Sequence, residues 1–113
     1  MFDKYIISYI RAGMDDEKSI EKQVEDIQEY CDENDIISMG FYEEISDEIT
    51  DEMQKFLKEK CEGKDSVILV ASLGVLSGNL KKMAALVNDF KELGIAIESL
   101  NPLDKQLLEM VEK

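Results

Sequence analysis

The chain of 113 residues has no histidine, one proline (Pro102), one arginine (Arg11) and two cysteines, Cys31 and Cys61. Without histidine there is no imidazole general base and no imidazole metal ligand. The cysteines are far apart and in no CxxC pair, so they form neither a disulfide framework nor a zinc motif. Both fall on apolar helical stripes, where small buried hydrophobes belong. No run approaches the ~20 apolar residues that span a bilayer. The N-terminus shows no basic stretch followed by a long apolar one. A reducing, cytoplasmic setting is the expectation. Positive charge is also scarce: 13 Lys and Arg face 26 Asp and Glu, a net charge of −13. Such a surface repels phosphate, so DNA binding by this chain alone is disfavoured, as is an anionic membrane.

Apolar residues make up 44% of the sequence, enough for a packed core despite the acidity. The length suits a single domain over residues 1–113. Lys4 to Ile10 is a β-branched and aromatic run, read as a strand. After a polar loop, Arg11–Glu17, the apolar positions Ile20, Val24, Ile27 and Cys31 predict a helix over Lys18–Asn34 with one buried stripe. Ile36 to Tyr42 reads as a second strand, and Glu43 to Ile49 as an acidic loop. Thr50 can cap a short helix that carries Met53, Phe56, Leu57 and Cys61, and Gly63 ends that region. Ser66 to Ala71 is almost wholly apolar, as expected of a strand covered on both faces. Ser72 to Asn79 is a small-residue turn, with Ser77 a candidate helix cap. The helix that follows carries Leu80, Met83, Leu86, Val87, Phe90 and Leu93, with Gly94 as a natural C′ residue. Ile95 to Leu100 is a fourth strand, and Leu103 to Glu112 a last helix. The order βαβαβαβα predicts a three-layer α/β sandwich with a mostly parallel sheet. Ligands of such folds bind beyond the carboxyl ends of the strands. The loops Arg11–Glu17, Glu43–Ile49 and Ser72–Asn79 share that edge.

These loops carry a resemblance. Tyr9-Ile10-Arg11-Ala12-Gly13 followed by Ser19-Ile20-Glu21-Lys22-Gln23 resembles the opening of the resolvase/invertase family of serine recombinases. There the first strand ends Tyr-x-Arg-Val-Ser and the next helix starts Ser-hydrophobic-x-x-Gln. Tyr42-Glu43-Glu44-Ile45-Ser46 is similar to the family's Tyr-Glu-Asp…Ser-Gly loop. Gln54-Lys55-Phe56-Leu57 resembles the helix after it. Ser72-Leu73-Gly74-Val75-Leu76-Ser77-Gly78-Asn79 is similar to Leu-Asp-Arg-Leu-Ser-Arg-Asn. Gly94-Ile95…Ser99-Leu100 matches the strand that follows. The resemblance covers residues 4 to 100 in order. It implies a resolvase-like catalytic-domain fold, and for an intact member DNA strand exchange through a serine that attacks a phosphate.

The departures bear on that activity. The nucleophile position is Gly13, which has no side chain to attack with. Of the arginines with which the family surrounds the phosphate, only Arg11 remains as a candidate catalytic residue. Val75 and Gly78 occupy two of the lost arginine positions, and a third falls near Thr50 or Asp51. Gly74 stands where the family has Asp, and Asp47 stands where it has Gly. A single arginine on a transferring phosphoryl group can be worth ~10³–10⁵ in rate. The expectation is therefore a domain without recombinase chemistry, needing no cofactor and no metal. It would act through protein contacts as a homodimer or with a recombinase or other partner. No C-terminal DNA-binding domain is expected. Arg11 is expected to pair with Glu43, Glu44 or Asp15. The acidic loop lacks the central glycine of a calcium loop and reads as solvated. Asp15-Asp16 would suit a receiver pocket, but the strand Ser66–Ala71 leads into Ser72 where a receiver has Asp. Other readings stay open: a small-ligand or metal-binding sensor at the strand-end edge, a substitute nucleophile at Ser8, Ser19 or Ser77, and a decayed mobile-element relic.

Overall fold

The computed structural model describes residues 4–112. Its elements are β1 (Tyr5–Ala12), α1 (Lys18–Glu33), β2 (Phe41–Ile45), α2 (Asp51–Cys61), β3 (Ser66–Val70), a 3₁₀ turn (Leu73–Val75), α3 (Leu80–Glu92), β4 (Ile95–Ser99) and α4 (Asp104–Glu112). The four strands lie in the order β2-β1-β3-β4, all parallel. The α/β sandwich is thus as expected, with a sheet parallel throughout.

Two apolar layers hold it. Ile10, Val67 and Leu69 point to one face, where they meet Ile27 and Cys31 of α1. Ile7, Tyr9, Ile68 and Val70 point to the other, against Leu57 and Cys61 of α2 and Met83, Val87 and Phe90 of α3. Leu107 and Leu108 of α4 pack against this second layer. Successive strand residues alternate faces, so both layers are built from the same strands. All five residues of β3 are buried, as a central strand covered on both sides requires. Both cysteines are buried and free.

Thr50 caps α2 as expected, its side chain accepting from the Met53 N–H. Gly94 takes φ +79° just after α3, a left-handed position that suits glycine at C′. The cap of α3 is Asn79, which accepts from the Lys82 N–H, and not Ser77. Ser77 instead accepts from the Asn79 N–H, two residues on.

β2 is the main correction. It occupies Phe41–Ile45, whereas Ile36–Tyr42 was expected. Ile36 donates its N–H to the Cys31 carbonyl at the end of α1 and packs beside the α1 layer, outside the sheet. Ile37 is 78% exposed. A Cβ on Gly40, just before the strand, would lie 2.6 Å from the Tyr42 hydroxyl oxygen, so a larger residue there displaces the Tyr42 ring. β1 also runs past Ile10 to Ala12, so Arg11 is a strand residue and not a loop residue.

β1 and β3 are neighbours whose next connections run opposite ways, to β2 on one side and to β4 on the other. The crevice beyond their carboxyl ends is the switch point of the sheet, where α/β folds place ligands. Arg11, Gly13 and the turn Leu73–Val75 meet there.

Candidate functional site

Arg11 is the centre of this crevice, and its guanidinium is engaged by backbone carbonyls. Nε donates to Val75 O at 2.6 Å, and one terminal nitrogen donates to Ser46 O at 2.5 Å. The other donates to Gly74 O at 3.3 Å. The expected pairing with Glu43, Glu44 or Asp15 is not what forms. The guanidinium carries five N–H donors in a planar fork, and at this position that fork joins the β1 end, the β2–α2 loop and the β3–α3 turn.

The backbone of Arg11 is held as well. Its N–H and C=O face the side of β1 where the pairing with β3 has ended, since that pairing runs from Tyr5 to Ser8. Buried strand groups need partners. Gln23 of α1 supplies both: its Oε1 accepts from the Arg11 N–H at 3.3 Å, and its Nε2 donates to the Arg11 carbonyl at 2.8 Å. The same Nε2 reaches Ser19 Oγ at 3.3 Å. The Ser-x-x-x-Gln spacing at the start of α1 therefore has a physical role, because one helical turn sets the two side chains on one face. It was visible in the sequence as a motif, but its partner was not.

Gly13 follows at the mouth of a shallow depression of about 300 Å³, lined by Arg11, Asp16, Ser19, Gln23, Ser72 and Gly74 among others. A Cβ on Gly13 would meet no heavy atom within 4 Å, and the same holds for Gly78. Neither has a positive φ. Nothing steric demands glycine at either place. Val75 is buried in the core, and its carbonyl accepts from Arg11 Nε.

Carboxylates crowd the same edge. Tyr9 is wholly buried and donates its hydroxyl to Glu44 Oε2 at 2.6 Å. Burial, and then the Glu44 hydrogen bond and charge, push the Tyr9 phenol far above its ordinary value. Glu44 also accepts from the Thr50 N–H at 3.2 Å and from the Thr50 hydroxyl. This ties β2 to the start of α2 and places a carboxylate near where the resemblance expects an arginine. Glu48 bonds Lys82 Nζ and Ser77 Oγ, each at 3.1 Å. The Lys82 hydrogen bond is the main cause holding the Glu48 carboxyl below its usual range, followed by the Ser77 bond.

The remaining candidates separate. Ser8 is wholly buried on the α1 side and bonded to Ser38 Oγ at 2.8 Å. Ser19 is at the depression and held by Gln23. Ser77 is buried against Glu48. No group of metal-ligating side chains that could hold an ion occurs among the described residues. The residue that sequence reasoning missed is Asp104. It is buried, and its Oδ2 accepts from the Leu73 N–H at 2.7 Å and from Ser99 Oγ at 2.6 Å. It ties the start of α4 to the turn that presents Val75 and Gly74 to Arg11.

Comparison with known proteins agrees with this fold. The family model described as "Resolvase, N terminal domain" matches residues 6–110. No curated protein matches. Among solved structures, the N-terminal catalytic domain of TP901-1 integrase is similar, with a TM-score of 0.73 and 18% identity over 95% of this chain and 90% of that one. A resolvase family site-specific recombinase from Streptococcus pneumoniae gives a TM-score of 0.64 and 17% identity, over 95% of this chain and 85% of that one. The C-terminal catalytic domain of IS1535 TnpA, an IS607-like serine recombinase, gives 0.67 and 16%, over 94% of this chain and 77% of that one. Identities this low speak for the fold. No helix among the described residues is long and apolar enough to cross a membrane.

Proposed function

Since this chain belongs to the resolvase N-terminal domain family, we propose that it keeps the family scaffold without DNA-cleaving chemistry and works through contacts with other proteins. The observation that carries this reading is Gly13. It sits at the position that the resemblance assigns to the nucleophile, with open space around it and an ordinary backbone. A serine would fit, so its absence is not a packing requirement. Further support comes from Arg11, whose guanidinium is spent on Val75, Ser46 and Gly74 carbonyls. A phosphate would have to compete with these bonds, beside Glu48 and Asp16 and without the arginines that the family supplies. On this reading the chain is a cytoplasmic protein that needs no cofactor or metal, and it forms a homodimer or pairs with a partner such as a recombinase.

The test is incubation of the purified chain with supercoiled plasmid bearing candidate recombination sites from its native genome. Nicked and linear products are read on a gel, with Arg11→Ala in parallel. The expected result is no nicking by either protein. Nicking by the native chain that Arg11→Ala abolishes would overturn the reading.

A further inference from the structure

β2 is an edge strand, and its outer side is open. It meets β1 on one side only. In the register Ser8 to Phe41, Ile10 to Glu43 and Ala12 to Ile45, the residues Phe41, Glu43 and Ile45 turn their backbone N–H and C=O groups away from β1. Exposed edges of this kind are templates for strand addition, and proteins commonly blunt them with proline, lysine or a bulge. Here the strand reads Phe-Tyr-Glu-Glu-Ile, with no proline, lysine or bulge; its protection is the charge of Glu43 and Glu44, which turns away another acidic strand but not a cationic one.

Beside that edge runs a groove between α1 and β2. Its floor is Ile20 and Val24 of α1 and Ile45 of β2, and Ile45 is 47% exposed. Its rim is Glu17, Glu21, Glu25 and Glu43, with no lysine or arginine among the lining residues. Of the two lysines on α1, Lys22 is paired with Asp26 at 3.1 Å, and Lys18, beside Glu17, is not among the lining residues. Four carboxylates thus face an apolar floor next to free backbone donors and acceptors. An anionic strand would be repelled, and a neutral one would leave the rim unpaired.

We propose that this edge is a docking site for an extended, cationic segment of a partner protein, with apolar and basic side chains alternating. The segment adds to β2 through main-chain hydrogen bonds. Its apolar side chains lie on Ile20, Val24 and Ile45, and its lysines or arginines meet the glutamate rim. The alternation follows from the two-residue period of a strand. This inference rests on the reading that the chain works through protein contacts, and it names the chemistry of the partner.

The test uses a fluorescent peptide of alternating lysine and leucine, with a glutamate–leucine peptide as control, followed by anisotropy. Because the whole chain is acidic, one double variant reverses charge in the groove, Glu21→Lys with Glu25→Lys. A second reverses it at the C-terminal end of α2, across the sheet from α1, Glu59→Lys with Glu62→Lys. All four positions are exposed, and the two variants have equal net charge. The groove variant is expected to weaken the lysine peptide about tenfold, or about 1.4 kcal/mol, and the α2 variant less than twofold. Ile45→Ser is expected to weaken it with no change in charge. Amide exchange at Glu43 and Ile45 is expected to slow when the peptide binds. Equal weakening by both double variants, or unchanged exchange at β2, would overturn the site. That failure leaves the nicking experiment untouched, and nicking by the native chain leaves the peptide result untouched, so the two can be told apart.

Discussion

Replacing Arg11 by alanine removes two short charge-assisted bonds, to Val75 O at 2.6 Å and Ser46 O at 2.5 Å, and a longer one to Gly74 O at 3.3 Å. A hydrogen bond to a charged group contributes about 1.5–3 kcal/mol. The long bond is exposed, and water replaces it at little cost. The two short ones are half-buried, so water recovers part of their loss. The expected net destabilisation is about 2–3 kcal/mol, a large part of the ~5–15 kcal/mol that holds a small domain together. For a domain of this size, that lowers Tm by about 8–12 °C. Urea unfolding followed by circular dichroism measures it. Arg11→Lys is expected to recover less than half, because a point charge cannot reach three carbonyls on separate loops as the planar fork does. Amide exchange should quicken at Ile49, because its N–H donates to Leu76 O where the two stapled loops meet. If Arg11→Ala unfolds within about 0.5 kcal/mol of the native chain, the guanidinium is not a staple. It would then be free for an anion, and the reasoning would fail.

Gly13→Ser is expected to change stability by less than about 0.5 kcal/mol, as for a surface substitution that meets no neighbour. A loss above about 1.5 kcal/mol in the same urea assay would show that glycine is required there. Asp104→Ala should cost about 3 kcal/mol, because it leaves the buried Leu73 N–H unpaired. Asp104→Asn should recover part of this by keeping one acceptor, and equal stability of all three proteins would contradict the role given to the carboxylate. Tyr9 has a folded pKa raised from 10.0, so its contribution is full below pH 10 and is lost as pH rises beyond it. Stability should fall there by up to about 1.4 kcal/mol per pH unit from this group. Tyr9→Phe should flatten that slope, and a slope that stays the same would contradict the burial of the phenol in a carboxylate-bonded state.

The sequence made some elements plain and hid others, for physical reasons. Ile20, Val24, Ile27 and Cys31 repeat at helical spacing because one stripe of α1 packs on the sheet, and β3 is apolar throughout because both of its faces are covered. β2 was misplaced because Ile36 and Ile37 look like strand residues. In the fold one packs beside α1 and the other is exposed, while the strand passes through Glu43 and Glu44. The inward carboxylate of Glu44 is tolerable only because Tyr9 and Thr50 meet it, and spacing does not reveal that. The strand-end edge and its residues were legible, since topology alone places Arg11, Gly13 and the Ser72–Asn79 turn together. The partners of Arg11 were not legible. They are carbonyls, which every residue carries, so the abundant carboxylates nearby were the misleading choice. Asp104 left no signal, because its partners are an amide in the β3–α3 turn and a hydroxyl at the end of β4.

The most direct measurement of the central claim is the intact mass of the purified chain after incubation with site-bearing DNA and nuclease trimming. On the proposal that the resolvase scaffold here carries no nucleophile, the unmodified chain mass alone should return, for the native protein and for Arg11→Ala alike. A nucleotide adduct on the native chain, mapped to Ser19, Ser77 or any other hydroxyl, would contradict the claim.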